Sequence, residues 1–117
     1  MATLTRAQIV ALALEAVGVK PAGVAASGED TLLGERAFDS AYNRLRKFGL
    51  APFDTATVPE WAWSPLTNTI AADLAPRIGI TGNRLNEWIG LGRAGERELA
   101  RQVAGYRHPI AIRADYF

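Results

Sequence analysis

The side chains of this 117-residue chain that could do chemistry are few and scattered. His108 is the single histidine, and the absence of cysteine excludes thiolate nucleophiles, disulfides and cysteine metal sites. Four carboxylates cluster where a helix is expected to begin: Glu29, Asp30, Glu35 and Asp39. A helix dipole favours acidic side chains at that end, and no nearby histidine completes a metal or acid–base site. The sequence therefore predicts no catalytic residue, no metal site and no cofactor.

Three glycines in the segment GLGRAG, Gly90, Gly92 and Gly95, have the spacing of a dinucleotide-binding loop. In such a loop the glycines join a strand to the start of a helix. Here they lie inside a helical pattern with no preceding strand. They indicate a helix break or a close contact with a neighbouring helix instead.

Three arginines, Arg93, Arg97 and Arg101, recur at every fourth residue, about 40° apart per step on an ideal helix. One interpretation is a solvated helix face. The other is a basic collar, formed when a ring of subunits repeats the row, that contacts DNA or an acidic partner. A net charge of +1 argues against a dedicated nucleic-acid-binding protein.

Four amphipathic segments must position these residues, and the first two have clear ends. The first helix is predicted from about Arg6 to Val17, with a capping box from Thr5 to Gln8 and a stop at Gly18. The second begins after Ser27 or Asp30 and ends at Gly49. Its predicted core face consists of Phe38, Ala41, Tyr42, Leu45 and Phe48.

A long connection is predicted from Leu50 to Trp63, with a short strand at Thr55–Val58. Its large aromatic residues, Phe53, Trp61 and Trp63, fit either core positions or interface anchors. The third helix is predicted to begin with Ser64 as its cap and Pro65 at its first position. Its core positions are Leu66, Ile70, Leu74 and Ile78.

The sequence also predicts where the third helix ends and where the fourth helix lies. Pro76 is expected to kink or end the third helix near Ala75. The fourth is predicted from Thr81 or Asn83 towards Gly105. Its core face consists of Leu85, Trp88, Ile89, Leu99 and Val103, opposite the arginine row.

The last residues, Tyr106 to Phe117, read YRHPIAIRADYF and alternate in polarity as an extended strand does. Pro109 prevents a smooth continuation of the helix before them. Such a strand frays, folds back on the helices or docks on another protein, and we expect docking. The residues predicted to contact a partner protein or a neighbouring subunit are Tyr106, Ile110, Ile112, Arg113, Tyr116 and Phe117.

Together these patterns predict an all-α protein, a small four-helix bundle-like domain with a long central loop and an extended C-terminal tail. The helical domain spans residues 1–105 and the docking tail residues 106–117. No apolar run approaches membrane-spanning length and no signal peptide is evident, so we expect a soluble protein without membrane contacts.

Three stretches resemble the head-completion, or head–tail connector, adaptors of tailed bacteriophages, which are also described as packaged-DNA-stabilisation proteins. These stretches are TRAQIVALALEAVGV, AFDSAYNRLRKFGL and SPLTNTIAADLAPRIGI. The resemblance implies a structural virion protein of the head–tail junction, assembled in the bacterial host cytoplasm. It implies a ring, usually dodecameric, that binds the portal protein, neighbouring copies and tail or nozzle proteins. Packaged DNA in the channel is a further implied partner.

Two alternatives stay open on the residues alone. A small helical DNA-binding or regulatory protein would use the arginine row on phosphates. A small hydrolase would use carboxylates such as Glu60 and Asp73, although no paired carboxylates can be located from the sequence.

Overall fold

The computed structural model describes residues 2–21 and 23–107 of the chain. Within these ranges the protein is all-α, with four helices and one short two-stranded sheet. In chain order the elements are β1 (Thr3–Leu4), α1 (Arg6–Ala16), α2 (Gly28–Lys47), β2 (Val58–Pro59), α3 (Glu60–Arg77) and α4 (Gly82–Arg107). The predicted fold class is therefore confirmed. No described helix is long and apolar enough to cross a membrane.

The first two helices begin at side-chain caps. The Thr5 hydroxyl accepts the Gln8 N–H at 3.3 Å, and the Gln8 side chain accepts the Thr5 N–H at 2.8 Å. The predicted capping box is thus present. At α2 the Ser27 hydroxyl accepts the Asp30 N–H at 3.1 Å. Ser27 is therefore the cap, and Asp30 lies in the first turn, where the helix dipole favours its charge.

Three of the helices end at the glycines that the sequence indicated. Gly18, Gly49 and Gly79 have positive φ angles of 82°, 72° and 88°, which side chains disfavour. In each case the next residue donates its N–H to the carbonyl five positions earlier: Val19 to Leu14, Leu50 to Leu45 and Ile80 to Ala75. These apolar residues pack against the core, so each helix end also anchors the following connection.

The predicted start of the third helix is wrong. α3 begins at Glu60, after Pro59, and Ser64 and Pro65 lie inside it. Proline is unfavourable inside a helix, but the added first turn buries Ala62 against the core. The connection before it therefore spans residues 48–57, and Trp61 and Trp63 lie on the helix rather than in a loop. α3 ends at Arg77, just beyond the end near Ala75 that Pro76 predicted.

The small sheet joins the start of the chain to its middle. β1 and β2 are antiparallel, with Thr3 opposite Pro59 and Leu4 opposite Val58. The sequence predicted no strand before the tail except at Thr55–Val58, whereas β2 occupies Val58–Pro59. Strands this short carry no periodic pattern, so only the pairing reveals them.

α3 is the central helix of the fold, because it contacts α1, α2, α4 and both strands. Its predicted core residues Leu66, Ile70 and Leu74 are completely buried. α4 packs chiefly against α3 and approaches it at two glycines. A Cβ at Gly92 would lie 2.5 Å from Ala72 Cβ, and one at Gly95 would lie 2.6 Å from the Pro65 carbonyl oxygen. The close helix contact expected of the glycines is therefore present.

Two residues assigned to core faces are exposed instead. Phe48 is 67% exposed because it is the C-cap of α2, where the chain turns through Gly49 and directs Leu50 towards the core. Ile89 is 38% exposed, because α4 packs chiefly against one neighbour, α3, which covers only part of its surface.

Candidate interaction surface

A series of aromatic rings connects α2 to the beginning of α3. Phe38 stacks on Tyr42 with ring centroids 5.7 Å apart, and Phe53 lies 6.2 Å from Tyr42. Phe53 then contacts Trp61 edge-to-face at 5.7 Å. The Tyr42 hydroxyl also donates to the Phe53 carbonyl at 2.7 Å, which holds the connection on α2. Trp61 therefore stands, half-buried, at the outer end of a packed series.

Trp63 lies on a different side of α3 from Trp61. Residues two apart on a helix point about 200° apart around its axis. The Trp63 indole N–H donates to the Val58 carbonyl at 2.8 Å, next to β2. Its ring borders a groove between α1 and α3, together with Leu12 and Thr67. The two tryptophans predicted to anchor one interface thus belong to separate surfaces.

A second groove runs between α3 and α4 and begins beside Trp61. We call it the Trp61 groove. Its lining residues are Trp61, Ser64, Pro65, Asn68, Ala94, Gly95, Glu98 and Arg101. Beyond Arg101 it continues along Gln102 to Gly105, near the end of α4. The first part encloses about 440 Å³. Small side chains on α4 form this groove, because they let the two helices approach closely.

The arginine row lies on the outer side of α4, as predicted, and all three side chains are exposed. Arg101 pairs with Glu98 one turn earlier. Hydrogen bonds from Arg101, and then from Gln102, hold the pKa of Glu98 below its ordinary value. Within the described ranges, neither Arg93 nor Arg97 has a carboxylate within ion-pair distance. Of the row, only Arg101 reaches the Trp61 groove.

An ion-pair cluster that sequence reasoning missed joins three helices. Arg44 on α2 contacts Asp73 on α3 at 3.2 Å and Glu96 on α4 at 2.9 Å. Burial lowers the pKa of Arg44, but the hydrogen bonds from Arg44 to Asp73 and Glu96 outweigh this effect and raise it. No local pattern connects the three residues. Asp73, which the hydrolase alternative used, is thus engaged by an arginine.

The remaining carboxylates occupy separate places on the surface. Asp39 accepts a hydrogen bond from Arg6 at 2.8 Å, and Glu35 lies 3.7 Å from the same guanidinium. Glu60 is exposed in the first turn of α3, away from any second carboxylate in that turn. Among the described residues, no group of three potential metal ligands comes together.

The predicted docking tail falls largely outside the described residues. The backbone of Tyr106 belongs to α4, whose described part ends at Arg107. His108, Ile110, Ile112, Arg113, Tyr116 and Phe117 lie beyond the described ranges. Comparisons of the chain with protein-family models, with curated proteins and with solved structures found no match.

Proposed function

We propose that this protein is a structural adaptor of a tailed bacteriophage, located at the head–tail junction. It forms a ring beneath the portal, helps to retain packaged DNA and provides the attachment platform for tail proteins. One observation carries this proposal. Trp61, Arg101 and the end of α4, from which the tail continues, all meet at one groove. Trp61 and Arg101, two residues that the sequence suggested for binding, are therefore adjacent, and Gly105, the residue before the predicted tail, lines the same groove.

Tryptophan and arginine are the side chains most enriched among residues that dominate binding at protein interfaces. Phe53 packs against the Trp61 ring and restricts its motion. The Trp61 side chain therefore loses little conformational freedom when a partner covers it. Arg93 and Arg97 would add two positive charges per subunit around a ring. A ring multiplies both weak contacts and charge, so completed rings bind strongly where single subunits bind weakly.

Electron microscopy of the protein mixed with the portal encoded nearest its gene tests this proposal. The full chain is compared with a chain that ends at Gly105. Among the described residues the buried core lies between Ile9 and Val103, and the shortened chain keeps all of it. We expect a ring stacked on the portal only with the full chain. Equal stacking with both chains would show that the tail is not the docking element. Absence of stacking with either chain would contradict the adaptor proposal itself.

A pair of charge variants tests the groove in the same assay. Arg101→Gln removes a charge at the Trp61 groove, whereas Arg84→Gln removes one from the opposite end of the same helix. We expect ring formation on the portal to weaken for Arg101→Gln and to persist for Arg84→Gln. Equal effects of both variants would mean that only overall charge matters.

The second candidate function is DNA binding by the single subunit. The observation in its favour is that Arg93 and Arg97 are exposed and without a carboxylate partner among the described residues. Phosphate contacts give a steep salt dependence, with a slope of about 0.9 per contact in a log–log plot. Under this alternative, the double variant Arg93→Gln/Arg97→Gln reduces the slope by about two, and Arg84→Gln leaves it unchanged. The adaptor proposal expects little binding by the lone subunit.

A further inference from the structure

The outer side of α4 is a helix face without a partner among the described residues. Arg93 and Arg97 are exposed there, and within the described ranges neither forms an ion pair. Ile89, four residues before Arg93, lies on the same side of the helix and is 38% exposed. A Cβ at Gly90 would meet no atom within 4 Å, so a neighbouring helix can approach closely. An apolar contact bordered by charged groups is typical of protein interfaces.

The first turn of α2 has the complementary composition. In the described part of the chain neither Glu29 nor Asp30 forms an ion pair, and Glu29 is exposed. Leu32 lies one turn after Glu29 on the same side of α2 and is 48% exposed. Arg44, which links α2 to α4, is about 22 Å further along the helix. The two faces therefore do not meet within one subunit, and a second copy can supply the complement of each.

We infer that the first turn of α2 in one copy docks on the outer side of α4 in the next copy. Leu32 then contacts Ile89, and Glu29 pairs with Arg93. On each helix the charged and the apolar residue are one turn apart, so both contacts form together. The two helices run antiparallel, because a parallel arrangement would place Arg36, which is exposed one turn after Leu32, opposite Arg93.

This contact joins two different surfaces, so every copy in a chain of such contacts can use both of its own. Repetition of the contact gives a ring when its rotation closes. The inference therefore rests on the ring of the proposed function and names the surfaces that join its subunits. Exposed ion pairs add little affinity, and their main effect here is to select which surfaces meet.

Cysteine crosslinking tests the inference, because the chain has no cysteine of its own. A chain with Leu32→Cys is mixed with a chain with Ile89→Cys under mild oxidation, and the yield of the disulfide-linked mixed dimer is measured. In the control, Leu91→Cys replaces Ile89→Cys. Leu91 is 45% exposed but lies on another side of α4. We expect position 32 to crosslink several-fold more with position 89 than with position 91.

Charge variants of the same two chains test the ion pair. Arg93→Glu in the chain with Ile89→Cys should lower the yield by about fivefold. Glu29→Arg in the other chain should then restore it, which a misfolded variant could not do. Arg84→Glu, near the start of α4, is the matched control and should leave the yield unchanged.

Equal crosslinking of position 32 with positions 89 and 91 would overturn the inference, and so would failure of Glu29→Arg to restore the yield. Absence of any crosslink, together with a steep salt dependence of DNA binding, would assign the outer side of α4 to phosphates instead. The stacking assay decides the adaptor proposal separately. A ring that stacks on the portal without this crosslink would keep the adaptor and reject only these surfaces.

Discussion

At Gly95, α4 lies close to the backbone of α3. A Cβ there would lie 2.6 Å from the Pro65 carbonyl oxygen and 3.0 Å from the Thr69 hydroxyl oxygen. That hydroxyl already donates to the same carbonyl at 2.8 Å, so neither group can move independently. We expect Gly95→Ala to lower the free energy of unfolding by about 1–3 kcal/mol, because the two helices must separate. Urea denaturation measures the change.

Gly90 provides the matched control on the same helix. No atom lies within 4 Å of a Cβ added there, so Gly90→Ala gains helix propensity without a clash. We expect it to raise the free energy of unfolding by about 0.5–1 kcal/mol. If Gly95→Ala and Gly90→Ala changed the free energy of unfolding in the same direction, packing against α3 would not be what decides the effect.

Glu15 predicts a pH dependence of stability. Hydrogen bonds from the Lys20 ammonium at 2.9 Å and from the Gly23 N–H at 3.2 Å hold its pKa below the ordinary value of 4.5. The unfolded chain then binds protons more readily, so this stabilisation is present above pH 4.5 and is lost as the pH falls through the folded-state pKa. We expect Glu15→Gln to be less stable than the unsubstituted protein at pH 7, with the difference shrinking in acid.

Thermal unfolding at several pH values measures this difference. The same Glu15→Gln substitution in a Lys20→Met background provides the control, because the main hydrogen-bond donor to Glu15 is then absent. The pH-dependent difference should be smaller in that background. A difference that stays constant from pH 7 into acid would contradict the role of the Glu15 carboxylate.

At the scale of elements, the position of α4 depends on few contacts other than those with α3. Arg44 supplies the ion-paired link from α2 through Glu96, and it binds Asp73 of α3 at the same time. We expect Arg44→Met to lower the free energy of unfolding by about 1 kcal/mol, since the cluster is partly exposed to water. Amide hydrogen exchange should accelerate in α4 more than in α1, because α4 loses its ion-paired link to α2 whereas α1 takes no part in the cluster.

Arg36→Met on the same helix is the control for that measurement. Arg36 is exposed, and among the described residues it forms no ion pair. Its substitution should leave exchange in α4 unchanged. Equal acceleration by both variants would show that the net charge of α2, and not the three-helix cluster, is responsible.

At the scale of the whole molecule, every interface of α3 contributes to one core. Leu66 is completely buried, whereas Leu91 on α4 is 45% exposed. We expect Leu66→Ala to cost about 2–5 kcal/mol of stability and Leu91→Ala to change it by less than about 0.5 kcal/mol. Because α3 contacts every other element, helix content and tryptophan fluorescence should report the same transition in Leu66→Ala. Separate transitions would mean that α4 unfolds independently.

Much of this fold was predictable because its signals are local. A capping box joins residues three apart, and a glycine stop acts on the turn before it, so Thr5, Gly18, Gly49 and Gly79 indicated helix ends correctly. Helical periodicity likewise identified the buried positions Leu66, Ile70 and Leu74. The same periodicity placed the arginine row on the outer side of α4, and the three side chains are exposed there.

Only the tertiary structure decided the features that depend on distant residues. The start of α3 at Glu60 overrides the local signal of Ser64 and Pro65, because the additional turn packs against the core and β2 pairs with β1. The proximity of Trp61 to Arg101, and the meeting of Arg44 with Asp73 and Glu96, follow from how helices pack. A sequence records which side of a helix is apolar, but the free energy that selects its neighbours comes from burial of the assembled core.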